Sequence, residues 1–243
     1  MYSHRSSTGP VDLAFTDRYG GVSAAPFDSL NLALVGDDSP EARGENHRLV
    51  LEDFGPGDEL IDLRQVHGAR VDVVEQPLEP DAPDGRPDAD GVVTAAAGLT
   101  LMVRAADCVP VLLADPAAHV IGAAHAGRAG LVAGIVPATI ARMRDLGATE
   151  LTAWVGPHIC GRCYEVPDAM RAEVSAVEPA AASTTSWATP ALDIGAGVRA
   201  QLDREGVRVV DVARCTLESP DLYSHRRDGA RAGRLAGLVR MSP

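Results

Sequence analysis

Three observations predict a single domain built from many short strands and fewer helices. First, 243 residues with 46% hydrophobic content can bury a substantial core, yet they fall in the range where a large α/β unit stays undivided. Second, short apolar runs alternate with Gly, Pro and Asp along the chain, as expected of strands separated by turns. Third, helical patterning is confined to a few segments.

Taken in order, strands are expected over 11–15, 60–66, 70–75, 99–104, 110–114, 120–125, 151–155, 207–212 and 236–240, each an apolar run bounded by turn formers. A helix over 41–54 follows from the spacing of Leu49, Val50 and Phe54 and stops at Gly55. Another, over 131–146, carries Ile135, Ile140, Met143 and Leu146 and stops at Gly147. Segments 168–177 and 194–204 read as two more. The stretch 75–90 is dense in Pro, Asp and Glu and is expected to be an exposed loop. Segment 180–189 is small and polar apart from Trp187. No internal repeat or sustained heptad is present.

A net charge of -12 with a pI near 4.9 disfavours nucleic acid and anionic membrane surfaces as partners. With 4% aromatic residues, platforms for stacking bases are scarce, and a small-molecule partner fits better. No window approaches the roughly 20 apolar residues that span a bilayer. The start, Met1-Tyr2-Ser3-His4-Arg5, leads into polar sequence, so a cytoplasmic protein is expected. In that compartment the four cysteines are expected to remain thiols or to bind metal.

His67, Cys108 and His125 each lie on or beside an apolar, strand-like segment. Two imidazoles and one thiolate form a ligand set that leaves a position for water or substrate, as catalytic zinc sites do. Their separations are too long for a zinc finger or a helical HExxH motif, so they must converge through folding. Spacing alone leaves other readings open: a buried Cys acting as a small hydrophobe, hydrogen-bonded structural histidines, or a metal-free thiolate activated by imidazole, which would give a hydrolase. Asp107 can orient a ligating imidazole or cap a turn. Cys160-Gly161-Arg162-Cys163 has CxxC spacing but no second CxxC to complete a four-cysteine zinc site. It reads as a turn with two thiols, with His158 as a possible extra metal contact. Arg48, Arg64, Arg226 and Arg227 are the cations considered for an anionic substrate, with Arg48 and Asn31 the preferred pair. Gly127 and Gly130 bracket a helix start that can hold an anion or simply pack closely.

Ten short segments carry a resemblance. They are Ser29-Leu30-Asn31-Leu32, Asn46-His47-Arg48, Gln65-Val66-His67-Gly68, Ala89-Asp90-Gly91, Ala106-Asp107-Cys108-Val109-Pro110, His125-Ala126-Gly127, Gly156-Pro157, Cys163-Tyr164-Glu165-Val166, Arg214-Cys215-Thr216 and Ser224-His225-Arg226-Arg227. In this order they resemble the YfiH family, also called the laccase-domain or multicopper polyphenol oxidoreductase family. The resemblance implies an α+β fold, similar also to the cytotoxic necrotizing factor fold, with mixed sheets in the core and helices outside. It implies zinc, or copper, on His67, Cys108 and His125, which would then be the catalytic centre. The implied activity is purine nucleoside phosphorolysis of adenosine, inosine, guanosine or methylthioadenosine, with adenosine deamination as a second activity. Nucleosides and phosphate would be the partners, with Asn31, Arg48 and Arg226 as substrate contacts. Peptidoglycan-precursor editing and laccase-like polyphenol oxidation are the other activities the family suggests. The chain departs from the family's His-Ala-Gly-Trp-Arg-Gly at Arg128 and Ala129, and has Ala232 where Thr-Gly-Arg is usual.

Overall fold

The structure is a computed structural model that describes residues 1–76 and 86–242; most of the expected 75–90 loop lies outside the described residues. In chain order the strands are β1 (Tyr2–Thr8), β2 (Val11–Thr16), β3 (Glu59–Ile61), β4 (Val71–Val73), β5 (Gly91–Thr94), β6 (Leu99–Ala105), β7 (Val109–Asp115), β8 (Val120–Ala126), β9 (Thr152–Val155), β10 (Ala182–Thr184), β11 (Pro190–Leu192), β12 (Arg208–Asp211) and β13 (Leu235–Met241). The helices are α1 (Pro40–Phe54), α2 (Arg128–Ala133), α3 (Ile135–Asp145), α4 (Asp168–Val177), α5 (Ile194–Arg204) and α6 (His225–Asp228).

The fold is α+β, with two mixed sheets stacked between helices. One sheet has the order β1-β2-β13-β6-β3 and the other β12-β9-β7-β8-β5-β4. Pairing is antiparallel except at β3–β6, β12–β9 and β4–β5. Leu13, Phe15, Leu101, Val103 and Val239 of the first sheet meet Leu112, Ile121, Ala123 and Trp154 of the second in one buried cluster. Because strand side chains alternate between faces, Ala14, Met102 and Leu238 point the other way, onto Val50 and Phe54 of α1. On the far face of the second sheet, Val111, Leu113 and Ala124 pack against Ile135, Ile140 and Met143 of α3 and Val198 and Leu202 of α5. Each fully buried side chain of this size contributes on the order of 1.5–3 kcal/mol. Among the described residues no helix is long and apolar enough to cross a membrane.

Local chemistry explains where the expectations and the structure part. The helix expected over 131–146 is two helices, α2 and α3. Gly134 at φ +81° closes α2 by donating to Gly130 and Leu131 carbonyls, and Pro137, with no amide hydrogen, suits the first turn of a new helix but not the interior of a continuous one. The strand expected over 60–66 ends at Ile61. Beyond it the Gln65 side chain takes over pairing with β6, donating to the Arg104 carbonyl and accepting the Arg104 amide, both at 2.8 Å. That exchange releases residues 66–68 from the sheet. β1 went unforeseen because Tyr2-Ser3-His4-Arg5-Ser6-Ser7-Thr8 has no apolar alternation; as an edge strand with β2 as its neighbour, it needs none. The polar stretch 180–189 contains one strand of the β10–β11 hairpin.

Candidate metal centre and its two cavities

Three adjacent strand ends carry the centre. β7 and β8 are antiparallel with Pro110 opposite His125, so Cys108, just before β7, emerges beside the end of β8. On the other flank of β8, Gly91 pairs with Ala124, and the His125 amide donates to the Asp90 carbonyl at 2.7 Å. His67 arrives on the loop that Gln65 frees from β6.

Asp90, fully buried, organises this convergence. Its carboxylate accepts the amides of Val66, His67 and Gly68 at 3.1, 3.0 and 2.7 Å, and His125 Nδ1 lies 2.8 Å from Oδ1. With Nδ1 donating to the carboxylate, Nε2 of His125 is the nitrogen that faces the other two residues, and it would offer its lone pair to an ion on giving up its proton. The loop is held with His67 at φ +62°, and Asp107 beside Cys108 sits at φ +86°. Neither is glycine, and such positions cost of order 1–3 kcal/mol unless the surroundings enforce them. Asp90 enforces the first. For the second, Asp107 accepts from Thr216 Oγ1 and from the Arg226 amide, both at 2.6 Å. Asp107 therefore braces a turn, and the carboxylate that orients an imidazole is Asp90.

The ligand-type atoms of His67, Cys108 and His125 all lie within 4.8 Å of one another. Cys108 Sγ is 3.8 Å from His67 Nε2, and the two imidazoles meet edge to face with centroids 4.8 Å apart. Burial opposes ionisation of the pair, but mutual attraction wins. The charge of His125 and hydrogen bonds from His125 and His67 bring the Cys108 thiol down to about 6. The Cys108 charge and the Asp90 hydrogen bond push His125 up to about 9 despite its burial. A poised thiolate between two imidazoles, one fixed by a carboxylate, fits a zinc or copper ion in donor chemistry and in reach.

Gly127 caps the start of α2 for a steric reason. A Cβ there would lie 2.7 Å from His67 Cδ2 and 3.0 Å from Cys108 Sγ. Gly127→Ala is expected to push the exposed His67 ring out of place and lower metal affinity at least about tenfold, the scale of a disturbed ligand shell. Circular dichroism should show an intact fold, and unchanged metal affinity by competition titration would count against a ligand role for His67. Gly130 is likewise packed, its absent Cβ facing the Gly68 carbonyl at 3.2 Å.

Two cavities open on the trio. The larger, about 510 Å³, has Ala33, Leu34, Val35, Ala105 and Ala106 as apolar wall, with Gln65, Arg104 and Arg234 adding polar groups. The smaller, about 350 Å³, is lined by Arg128, Ile159, Tyr164, Ile194 and Arg226 among others. His67, Cys108 and His225 border both. Arg226 lies over the Tyr164 ring at 4.8 Å and donates to the Glu165 carbonyl.

Two of the expected substrate contacts lie outside the linings of both cavities. Arg48 is exposed on α1, bound to Glu45 and Glu52, and lines neither cavity. Its helix turns that side chain to solvent, and the two acidic residues on the same face neutralise it. Asn31 is buried, donating to Asp38 and accepting the amides of Ala33 and Arg234, so it shapes the cavity wall without facing the cavity. Arg227 is spent on the carbonyls of Thr216, Ser219 and Leu222, and Arg64 pairs with Asp88 at the rim of the larger cavity. Arg226 does line a cavity. Sequence reasoning missed Arg104, Arg234 and His225. The signal for Arg234 and His225 was present in their family-like motifs, whereas Arg104 stands within an otherwise apolar strand.

Comparison with known proteins identifies the family and the fold. The family model described as multi-copper polyphenol oxidoreductase laccase matches residues 12–242. A Streptomyces coelicolor protein named purine nucleoside phosphorylase is 52% identical over 245 residues, covering 98% of this chain and 99% of that protein. A Mycobacterium bovis protein of the same name is 45% identical, covering 98% and 96%. Crystal structures of a Neisseria meningitidis protein and of Bacillus licheniformis YfiH each superpose with a TM-score of 0.85, at 32% and 26% identity. Each covers 99% of this chain, and 99% and 100% of the respective structure. The chain belongs to the multi-copper polyphenol oxidoreductase laccase family, the YfiH family.

Proposed function

We propose that the protein is a metal-dependent purine nucleoside phosphorylase, with adenosine deamination as a second activity of the same site. The observation that carries this reading is the placement of the His67–Cys108–His125 trio where a nucleoside-sized cavity meets a smaller cationic one. The relatives named purine nucleoside phosphorylase support it. His67, Cys108 and His125 would hold the ion, which supplies a Lewis acid at the junction.

The chain's own residues divide the remaining work. The aliphatic wall at Ala33–Val35 and Ala105–Ala106 accepts a purine face, and Arg234, whose Nη1 is held by the Ala232 and Gly233 carbonyls, turns its remaining donors to the purine edge. In the smaller cavity, Arg128 and Arg226 have no carboxylate partner among the described residues, so their guanidinium groups are available to phosphate. In phosphorolysis a phosphate oxygen bonds to the anomeric carbon as the C–N bond breaks, and the electron pair leaves with the purine, which takes a proton. His225, bordering both cavities, is placed to carry that proton. In deamination the reacting carbon is C6 of the purine ring: a water oxygen bonds to it, the exocyclic C6–N bond breaks, and the nitrogen leaves as ammonia with a proton from the water.

Product analysis separates the two reactions. Ribose phosphate and free base should form from adenosine only when inorganic phosphate is present, whereas inosine should form with or without it. Arg128→Gln is expected to raise the KM for phosphate about 10- to 100-fold, the loss of a charge-assisted hydrogen bond, while inosine formation changes little. Equal loss of both activities would move Arg128 from phosphate to nucleoside binding. Neither product from metal-loaded protein would favour editing or a binding role instead.

A further inference from the structure

Away from the two cavities, the CxxC turn has a partner that its sequence did not announce. Cys160 Sγ, Cys163 Sγ, Cys215 Sγ and a Glu218 carboxylate oxygen lie within 4.8 Å of one another. Glu218 follows Cys215 by the same interval that separates the paired cysteines, so two short C-x-x motifs face each other across the fold. All four cysteines of the chain are free thiols. We propose that Cys160, Cys163, Cys215 and Glu218 form a second, structural metal site for a thiophilic divalent ion such as zinc.

The frame of this site is built by the backbone. The amides of Cys163 and Tyr164 both donate to the Cys160 carbonyl, at 2.9 and 3.0 Å, in a turn that brings both sulfurs to one side. The opposing segment is pinned to it: His158 donates to the Arg214 carbonyl and Thr216 to the His158 carbonyl, each at 3.1 Å. The Cys160 amide points at Cys215 Sγ at 3.5 Å, which fixes that sulfur toward the CxxC turn. Cys163 Sγ is already 3.3 Å from Glu218 Oε1. In a regular tetrahedron with zinc–sulfur bonds of about 2.3 Å, sulfurs stand about 3.8 Å apart, so closure asks for small side-chain shifts only. Three thiolates and one carboxylate select a soft, four-coordinate ion over magnesium or calcium. Cys160 and Cys215 also line an open cavity of about 390 Å³, which gives an ion access from solvent.

The consequence reaches the first site. Thr216 lies between the two clip residues Cys215 and Glu218, and its hydroxyl holds Asp107; Ile159, next to Cys160, donates to the Asp107 carbonyl at 3.0 Å. An ion at the clip therefore braces the strained turn that presents Cys108. The second site is structural because four protein ligands close it.

The test uses Cys108→Ala, which removes one ligand of the first trio and leaves the clip intact, so the result does not depend on the proposed activity. After incubation with zinc(II) and removal of excess, this variant is expected to retain about one ion per chain. Adding Cys163→Ser and Cys215→Ser should reduce that to none. Cobalt(II) in Cys108→Ala should give a tetrahedral visible spectrum with a sulfur charge-transfer band of three-thiolate intensity, a readout that requires no further variant to fold. Zinc should slow the reaction of all three remaining thiols with a thiol reagent. The proposal is overturned if Cys108→Ala binds no ion while its three thiols stay reactive, or if mass spectrometry of protein purified with zinc shows a Cys160–Cys163 disulfide.

Discussion

Cys108→Ala is expected to lose first-site metal binding and about 10³-fold or more of phosphorolysis while keeping its fold. The side chain belongs to none of the buried clusters, so its truncation opens no core cavity and the thermal midpoint should move little. The activity loss has a different origin. Two imidazoles without the thiolate hold a soft divalent ion poorly, and a Lewis acid worth several kcal/mol in the transition state corresponds to about 10³-fold at 1.36 kcal/mol per decade. Metal analysis, kcat/KM with inosine and phosphate, and a circular dichroism melt check the three statements together. Undiminished phosphorolysis would make Cys108 structural. If chelator-treated wild type keeps its activity and alkylation of Cys108 abolishes it, the metal-free Cys-His hydrolase reading takes over.

How much of this was legible depended on where the deciding interaction sits. β6, β7, β8 and β13 were readable because each is a predominantly apolar run bounded by turn formers, and such runs have few alternatives to a buried strand. α4 and α5 were found at their observed limits. The break after Ile61 was not readable, since it turns on the Gln65 side chain imitating a backbone partner, an interaction with residue 104 that no local pattern encodes. The ligand trio was named by residue type and family motif, and folding alone brings it together. Asp90 stood in a quoted motif yet received no role, because its four hydrogen-bond partners are distributed over residues 66–68 and 125. Arg48 is the opposite case. It lies in a family-like motif, but helical periodicity places Glu45 and Glu52 beside it, and that periodicity was available in the sequence.

Asp90→Asn and Asp90→Ala should separate positioning of the centre from stability of the fold. Asp90→Asn keeps a side chain of the same shape, but its amide can oppose either His125 Nδ1 or the loop amides, and a neutral oxygen is a weaker acceptor. Losing an outer carboxylate of this kind typically costs 10- to 100-fold in metal affinity or activity, and that is the expected effect. Asp90→Ala removes every acceptor at once. The amides of Val66, His67 and Gly68 lose their partner, at about 1–3 kcal/mol for each that stays buried, and the positive φ of His67 loses the contacts that enforce it. Here metal binding should fail altogether, and stability should fall by several kcal/mol.

The pH dependence has a definite sign. Burial alone would raise the Asp90 carboxyl, but the His125 hydrogen bond and the loop amides hold it below its ordinary value. A carboxylate with a depressed folded-state pKa stabilises the protein above its unfolded pKa, and that contribution is lost as the pH falls through the folded value. The stability gap between wild type and Asp90→Ala should therefore be full at neutral pH and shrink only below about pH 4, near the ordinary carboxylate range. Urea unfolding of both proteins at neutral and acid pH measures the gap. A gap that is absent at neutral pH, or metal affinity unchanged in Asp90→Asn, would remove Asp90 as the residue that positions His67 and His125.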